Sequence, residues 1–267
     1  MHREFLESRQ QTFQCCLYIW RTTVERNLQK IMETEKLLYE GLNKNGYDIN
    51  SKQIEKLIYY MKRVLIENKK FNLTAINDER EFVTKHLIDS ILMYDDTKEA
   101  LIVADVGTGG GFPGIPLKII HPKWKMTFID ATEKKLRFIE NTCSELEIKD
   151  VDFIHSRAED VGKDKKHREK YDLVFSRAVA SMNILCEYCL PLVKIGGKFI
   201  AAKGPRYKEE IEEATNAIEV LGGKLESIIQ KDIPFDDIAR YLVVCEKIKS
   251  TPSKYPRRQG VPTKKPL

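Results

Sequence analysis

The sequence predicts an α/β protein built on a mostly parallel sheet with helices on both faces. From residue 100 onward, short apolar runs alternate with segments of helical period, a pattern typical of parallel strands connected by helices. The run ALIVADVG, residues 100–107, is apolar until its closing acid and glycine, as expected for a buried strand. Only a turn around Pro234 separates the last two predicted strands, so the last strand is expected to run antiparallel.

Seven strands and five helices follow from this pattern. The predicted strands are residues 100–107, Lys125–Asp130, Val151–His155, Tyr171–Ser176, Lys198–Ala202, Lys224–Gln230 and Arg240–Glu246. The predicted helices, each with an apolar stripe at helical spacing, are Ser51–Lys69, Glu79–Tyr94, Glu133–Leu146, Met182–Leu192 and Lys208–Leu221.

Changes in composition divide the chain into four parts. A helical pattern with an acidic first turn opens at Met32, so residues 1–31 are expected to be an extension, to which no function is assigned. Residues 32–99 form a helical N-terminal region, 100–248 the sheet domain and 249–267 a basic, proline-rich tail. The tail is expected to be extended, lying on the surface or ordered by a partner.

Composition and charge exclude some classes of protein. Hydrophobic residues make up 42% of the 267-residue chain and charged residues 32%, as in a soluble globular protein. No apolar run approaches the roughly 20 residues needed to cross a bilayer, so a cytoplasmic location without membrane contact is expected. The net charge is +5, yet the tail alone carries +6 without an acid, which leaves −1 for the rest. Such a tail suits a phosphate backbone, with Tyr255 as a stacking platform, or is merely solvated.

Six cysteines are scattered along the chain, and Cys186 and Cys189 form a single C-x-x-C. A structural zinc site needs a second ligand pair, and this motif lies within a predicted helix rather than at a strand-to-helix turn. We therefore expect no metal site and interpret both cysteines as buried helix residues.

The glycine loop after the first strand is the main functional signal. Its spacing is D-x-G-x-G-x-G, from Asp105 through Gly107 and Gly109 to Gly111. A dinucleotide loop, G-x-G-x-x-G, would have glycine at the position of Phe112. The observed spacing resembles the first motif of Rossmann-like S-adenosylmethionine-dependent methyltransferases. A dinucleotide-binding dehydrogenase and a glycine turn without a ligand are the alternatives.

Acidic residues near the loop fit that cofactor. Asp105 can compensate the cationic groups of adenosylmethionine, directly or through water. Asp130, at the end of the second strand, suits ribose hydroxyls for either cofactor. In HSRAED, residues 155–160, Ala158 offers an amide and Glu159 an acceptor for the adenine amino group. The alternative for this pair is a solvated helix start with acids in its first turn.

The segment after the fourth strand bears on the reaction type. Enzymes that methylate exocyclic amines usually have a proline-containing turn here, whereas this chain has SRAVAS, residues 176–181. Methylation of pyrimidine C5 needs a cysteine nucleophile, and the nearest, Cys186, lies further on in a helix. An acceptor that is already nucleophilic, such as guanine N7, remains and requires no general base. Arg177 either contacts ligand or substrate or forms a salt bridge with an acid such as Glu159.

Together these motifs closely resemble the bacterial 16S ribosomal RNA guanine-N7 methyltransferases, the glucose-inhibited division protein B family. The resemblance extends from about Met32 to Leu267. It rests on NLT (72–74), HLIDS (86–90), DVGTGGGFPGIPL (105–117), ID (129–130) before KKLRF (134–138), SRAED (156–160), SRAVA (176–180), KG (203–204) and YPRRQGVPTKKP (255–266). One departure is Ala131, where many relatives have serine.

The resemblance implies a class I methyltransferase fold, a mostly parallel seven-stranded sheet with the last strand antiparallel, preceded by a helical region. It implies methylation of N7 of a guanine in a 16S rRNA loop, with S-adenosylmethionine as donor and no general base. The expected partner is free 16S rRNA, the 30S subunit or its precursor. The protein itself is expected to be a monomer that needs no protein partner. The residues expected at the cofactor are Gly107, Phe112, Asp130, Ala158, Glu159 and Arg177.

Two other functions remain open at this point: an NAD-dependent oxidoreductase, and an RNA-binding assembly factor with a vestigial cofactor pocket. His86 and Asp89 are also open in role. Three residues apart, they lie on one helical face and either line a cleft between the helical region and the sheet domain or pin these parts together.

Overall fold

The fold is described by a computed structural model for residues 25, 29–95, 100–236 and 239–267. The predicted extension, residues 1–31, lies outside the described residues except for residues 25 and 29–31. No helix within these described ranges has both the length and the apolar character that a bilayer crossing requires.

A single seven-stranded sheet organises the described chain. Its strands are β1 Ile102–Val106, β2 Lys125–Asp130, β3 Val151–His155, β4 Tyr171–Arg177, β5 Val193–Lys203, β6 Gly223–Lys231 and β7 Arg240–Lys247. Their spatial order is β3-β2-β1-β4-β5-β7-β6, and β7 runs antiparallel between β5 and β6. The predicted fold class is confirmed. The chain turns from one side of the sheet to the other between β1 and β4, the place where doubly wound sheets bind ligands.

Helices cover both faces of this sheet. They are α1 (29–43), α2 Ser51–Asn68, α3 Glu79–Phe82, α4 Asp89–Ile91, α5 Gly114–Ile120, α6 Glu133–Glu145, α7 Ala158–Val161, α8 Met182–Cys189, α9 Tyr207–Val220 and α10 Val261–Lys264. The start of α2 is fixed by a capping box, in which Asn50 and Gln53 each bond the other's backbone amide with a side-chain oxygen. The short helices α5, α7 and α10 were not among the predicted elements because they are too short to show an amphipathic stripe.

Two hydrophobic cores lie on opposite faces of the sheet. The first joins α1 and α2 to the sheet, with Tyr60, Phe82 and Phe175 among its fully buried rings. The second packs α8 and α9 against the other face. Neighbouring residues of β1 separate between them, since Val103 belongs to the first core and Ala104 to the second. The helical N-terminal region thus shares a core with the sheet and borders the edge at which the parallel strands end.

The helix predicted over Glu79–Tyr94 differs from the structure in two ways. It ends at Ile91, and its middle, Val83–Ile88, is a π-helical turn. Apolar spacing does not distinguish a single π turn from an α-helix, so this turn could not be predicted. The wider turn carries His86, and π turns of this kind occur often at functional sites.

The fifth strand also begins earlier than predicted. Helix α8 stops at Cys189, and β5 starts at Val193 rather than Lys198. Pro191 disfavours helix at the residue before it, and the glycines at 196 and 197 obscured the strand pattern.

The tail, residues 249–267, is held on the body by contacts with its own chain. The guanidinium of Arg168 donates to the carbonyls of Thr251 and Tyr255, and the tail ends in α10. Tyr255 is only 9% exposed, so the stacking platform expected there is not available in this conformation. The composition of the tail indicated an extended segment. The residues elsewhere in the chain that bind the tail cannot be identified from that composition.

Candidate functional site

A cavity of about 510 Å³ lies beyond the carboxyl ends of β1, β2 and β4, and the loop after β3 contributes to its wall. Parallel strands end at the same edge of a sheet, so residues from four distant loops meet here. The wall contains all six residues that the sequence predicted for the cofactor site: Gly107, Phe112, Asp130, Ala158, Glu159 and Arg177.

Left-handed backbone explains the alternate glycines of the loop. Gly107, Gly109 and Gly111 have φ values of 71°, 59° and 104°, a region that side-chain-bearing residues rarely adopt. Space is also short: a Cβ on Gly107 would lie 2.5 Å from Cγ2 of Val179, and one on Gly111 would lie 2.8 Å from Cδ1 of Ile115. The loop conformation therefore depends on glycine at these positions.

Asp105 does not line the cavity, contrary to its expected role beside the ligand. It is fully buried, and its Oδ2 accepts hydrogen bonds from Thr108 Oγ1 at 2.7 Å and from the Gly114 amide at 2.9 Å. Burial raises the pKa of this carboxyl to about 7. The side chain fastens the two ends of the glycine loop, and any effect on a ligand is exerted from beneath the loop.

Asp130 lies in the cavity wall and is held rigidly. Its Oδ2 accepts from the Gly109 amide at 2.9 Å, and its Oδ1 accepts from the Thr132 amide at 2.8 Å. The carboxylate therefore joins the end of β2 to the glycine loop, and lone pairs on both oxygens remain for hydroxyl donors.

Glu159 is buried, which excludes the alternative of a solvated helix start for this residue. Its side chain is in the cavity wall, while the residue is 3% exposed and the next acid, Asp160, faces solvent. Oε1 of Glu159 accepts a hydrogen bond from the amide of Gly260 at 3.1 Å. An acceptor that is desolvated in this way suits recognition of a donor group within the cavity.

Arg177 pairs with Asp89 and not with Glu159, the acid that the sequence suggested as its salt-bridge partner. Its Nη1 lies 2.8 Å from Oδ2 of Asp89 and 3.0 Å from the carbonyl of Lys85. Both charged side chains are at most 10% exposed. The guanidinium also lies over the ring of Phe112, at 5.1 Å from its centroid. This ion pair joins the π-helical turn to the end of β4, so Asp89 pins the helical region to the sheet.

His86 both lines the cavity and takes part in this junction. Its ring stacks on Phe112 with centroids 4.3 Å apart, and Nδ1 lies 2.8 Å from Nη2 of Arg177. Because the guanidinium can only donate, Nδ1 must be the acceptor and Nε2 carries the hydrogen. Nε2 lies 2.6 Å from Oγ1 of Thr74, which explains the position of the NLT motif. Burial, and then the charge of Arg177, lower the pKa of His86 to about 3.

This low pKa predicts a specific loss of stability in acid. Between pH 6.5 and 3, the unfolded chain binds a proton at His86 that the folded protein does not, so the free energy of unfolding falls as the pH falls. At pH 5 the share of His86 is on the order of 2 kcal/mol, and above pH 7 it is absent. We expect His86→Gln to lose correspondingly less stability than wild type between pH 7.5 and pH 5 in urea unfolding. Equal losses in both proteins would mean that His86 is protonated in the folded state.

A second cavity of about 450 Å³ adjoins the first and was not predicted. The two share His86, Arg177 and Ala178, and the second is also lined by Lys203 and Glu210. The non-glycine residue Ala178 has φ of 56°, a strained conformation of the kind found at ligand sites.

A buried cation holds the loop between the cavities in place. Nζ of Lys203 donates to the carbonyl of Ala180 at 2.8 Å and to Oε2 of Glu210 at 2.7 Å. In the sequence, the proline-free SRAVA and the KG dipeptide were the available signals for this second cavity. Neither motif predicts a cavity unless the fold that brings them together is known.

Cys186 and Cys189 are both fully buried in the second core, and burial raises the pKa of each thiol well above its ordinary range. They are not part of either cavity lining, so they act as packing residues. In the described ranges, no cluster of three or more histidine, cysteine or acidic side chains is arranged to hold a metal ion.

Comparison with known proteins gives consistent matches. The family model described as GidB, rRNA small subunit methyltransferase G, matches residues 53–237. A ribosomal RNA small subunit methyltransferase G of Alkaliphilus metalliredigens is 48% identical over 238 residues, covering 88% of this chain and 100% of that protein. Those of Acetivibrio thermocellus and Lactobacillus johnsonii are 47% and 46% identical, covering 90% and 87% of this chain and 99% of each relative.

Among solved structures, P. horikoshii TYW2 in complex with MeSAdo superposes with a TM-score of 0.50 at 14% identity, over 62% of this chain and 63% of that chain. At this level of identity the likeness concerns the fold alone. It agrees with the strand order described above.

Proposed function

Because this chain belongs to the family of the ribosomal RNA small subunit methyltransferases G, we propose that it methylates N7 of a guanine in a loop of 16S rRNA. It is a methyltransferase of small-subunit rRNA, and S-adenosylmethionine is its methyl donor. Family membership removes the dehydrogenase alternative. The choice of N7 rests on one observation: the residues shared by the two cavities offer no free base.

The side chains at this junction are already engaged. Both ring nitrogens of His86 are within hydrogen-bond distance of partners, and its pKa is lowered to about 3. Arg177 is a cation, and Ala178 has no polar side chain. A reaction that must remove a proton from its acceptor finds no group to take it there. Guanine N7 has an in-plane lone pair and no proton, so positioning and exclusion of water suffice.

The first cavity, of about 510 Å³, is called the central cavity from here on, and its residues fit a cationic cofactor. Asp130 and Glu159 line it, and Asp105 lies buried beneath the glycine loop with Oδ1 lacking any hydrogen-bond partner among the described residues. S-adenosylmethionine supplies an electrophilic methyl group on a sulfonium sulfur, and it also carries an ammonium group. The carboxylates of Asp130 and Glu159 offset these positive charges from the cavity wall, which also contains the cations Lys135, Arg157 and Arg177.

We assign the lining residues accordingly. Asp130 accepts from the ribose hydroxyls, while Glu159 and the amide of Ala158 bind the adenine. The glycine loop at Gly107 allows close approach of the amino acid end. Phe112 forms an apolar wall that His86 and Arg177 hold from behind, and this wall keeps water from the reacting atoms.

The second cavity would hold the guanine. Its lining combines the cations Lys203 and Arg240 with the acids Asp89 and Glu210. Guanine presents acceptors at O6 and N7 and donors at N1 and N2, so it matches the chemistry of both kinds of lining group, which in the free protein pair with each other. Since N7 lies in the deep, narrow major groove of an RNA duplex, the target must be an unpaired base turned out of its stack.

The tail contributes to RNA binding in this proposal through its exposed cations Lys254, Arg258, Lys264 and Lys265, which suit flanking phosphates. Arg257 is excluded from this role because it is paired with Glu187.

The experiment is a reaction of purified protein with labelled S-adenosylmethionine and 30S subunits or free 16S rRNA from cells that lack the protein. Nucleoside mass spectrometry of the digested RNA should reveal 7-methylguanosine. An assembly factor with a vestigial pocket would bind the RNA and leave it unmethylated, and a different methylated nucleoside would refute the choice of N7.

A further inference from the structure

The C-terminal segment reaches the wall of the central cavity. The amide of Gly260 donates to Oε1 of Glu159 at 3.1 Å, and the hydroxyl of Thr263 lies 3.2 Å from that of Tyr188. Glu159 and Tyr188 both line the cavity. The basic C-terminal tail, called the RNA-binding arm below because of its charge, therefore supports two residues of the proposed cofactor site.

An independent lock holds this segment on the body. The backbone amide of Arg257 donates to Oε1 of Glu187 at 2.7 Å, and its guanidinium binds both carboxylate oxygens at distances of 2.6 to 3.1 Å. Glu187 lies on α8 and is 1% exposed, and neither Glu187 nor Arg257 lines the cavity. Residues 259–264 can thus be altered while the lock remains.

The Gly260 bond matters because Glu159 is a desolvated carboxylate. It is 3% exposed, and the Gly260 amide is its one hydrogen-bond partner recorded among the described residues. A hydrogen bond to a buried charged acceptor is stronger than one between neutral groups. Without it, Glu159 would turn toward water, and this change removes a fixed acceptor from the wall.

We propose that residues 259–264 are positioning residues of the cofactor site, which hold Glu159 and Tyr188 where the adenine binds. The inference rests on the assignment of the central cavity to S-adenosylmethionine under the proposed function. It adds that the RNA-binding arm and the adenine wall are one structural unit, so the arm contributes to cofactor affinity and base selectivity.

The test is a chain that ends at Arg258, which keeps the lock between Arg257 and Glu187. Calorimetry should give an affinity for S-adenosylhomocysteine weaker by about tenfold, the equivalent of one lost hydrogen bond. Discrimination against S-inosylhomocysteine, which lacks the adenine amino group, should fall as well. KM for the methyl donor should rise more than kcat falls, whereas general destabilisation would not alter selectivity between the two ligands.

Matched variants complete this test. The variant Lys249→Ala removes exposed charge from the tail upstream of the lock between Arg257 and Glu187 and should leave cofactor affinity unchanged. Thr263→Val removes the hydroxyl beside Tyr188 and should weaken binding, and Thr263→Ser should restore it. If the truncated chain is too unstable to measure, this pair alone decides.

Wild-type affinity and selectivity in the truncated chain or in Thr263→Val would overturn the inference. Gly107→Ala separates this failure from that of the site assignment. If Gly107→Ala loses binding and the tail variants do not, the cavity is the cofactor site and the tail plays no part in it. If Gly107→Ala binds normally, the site assignment itself is wrong.

Discussion

Gly107→Ala is expected to abolish measurable binding of S-adenosylmethionine. The residue has φ of 71°, which costs an alanine about 1–2 kcal/mol, and the added Cβ would lie 2.5 Å from Cγ2 of Val179. Relief of this contact requires the loop after β1 or the loop after β4 to move, and both border the central cavity. Isothermal titration of the folded variant with S-adenosylmethionine checks this.

Gly196→Ala is the matched control. Gly196 also has a left-handed φ, of 81°, yet no described atom lies within 4 Å of the position that its added Cβ would take, and it is absent from the lining of the central cavity. The backbone cost is similar, so Gly196→Ala should lose about 1–2 kcal/mol of stability and keep the cofactor, whereas Gly107→Ala should lose at least as much stability and also the cofactor. Wild-type affinity in Gly107→Ala would place the cofactor elsewhere.

Arg177→Met is expected to destabilise the protein by about 3–5 kcal/mol and to stop methylation. The change leaves Asp89, which is 5% exposed, with Arg240 at 3.4 Å as its remaining ion-pair partner among the described residues. It also frees His86 and the π-helical turn from the end of β4, which opens the wall between the two cavities. Urea unfolding at pH 7.5 gives the change in stability, and a methylation assay gives the change in activity.

Arg137→Met serves as the control for this prediction. Arg137 pairs with Glu133 one turn away on α6, with both side chains more than half exposed, so its loss should cost no more than about 0.5 kcal/mol. Arg177→Met combined with Asp89→Asn should recover part of the lost stability, since the buried carboxylate that only Arg240 then compensates is removed as well. If Arg177→Met were as stable as Arg137→Met, the junction would not hold the helical region to the sheet.

The sheet and the residues that line its cavity were predictable because they depend on local sequence patterns. Short strand-like runs that alternate with helical patterns indicated all seven strands, and parallel strands necessarily bring their carboxyl ends together. The alternate glycines likewise indicated a backbone that only glycine adopts without strain. The six predicted cofactor residues meet in one cavity for these reasons, although their binding of the cofactor stays a prediction.

The choice of partners was not predictable from the sequence. Glu159 and Asp89 were equally acceptable acids for Arg177, and only the packing of the π-helical turn on β4 selects Asp89. Asp105, which was predicted to compensate the cationic groups of the cofactor directly or through water, lies outside the cavity lining for a related reason. The same position before the glycines also allows a carboxylate to bond the Gly114 amide within the loop, and the fold uses it in that way.

The order of the tail could not be predicted from its composition, because composition does not include the surface that binds it. Glu187 offered an available signal, since it is the one charged residue of the helix MNILCEYC. A carboxylate buried there must have a cationic partner, and the tail supplies Arg257. Only the structure could show which of the six cations of the tail forms this pair.

The most direct test of the central claim uses 16S rRNA in which the guanines of the methylated loop are replaced by 7-deazaguanine. This base keeps the pairing edge and the ring shape of guanine but has carbon in place of N7. We predict that the protein methylates the unmodified loop and transfers no label to the substituted one, with RNA affinity changed little. Label transfer to the substituted loop at the normal rate would contradict methylation at N7.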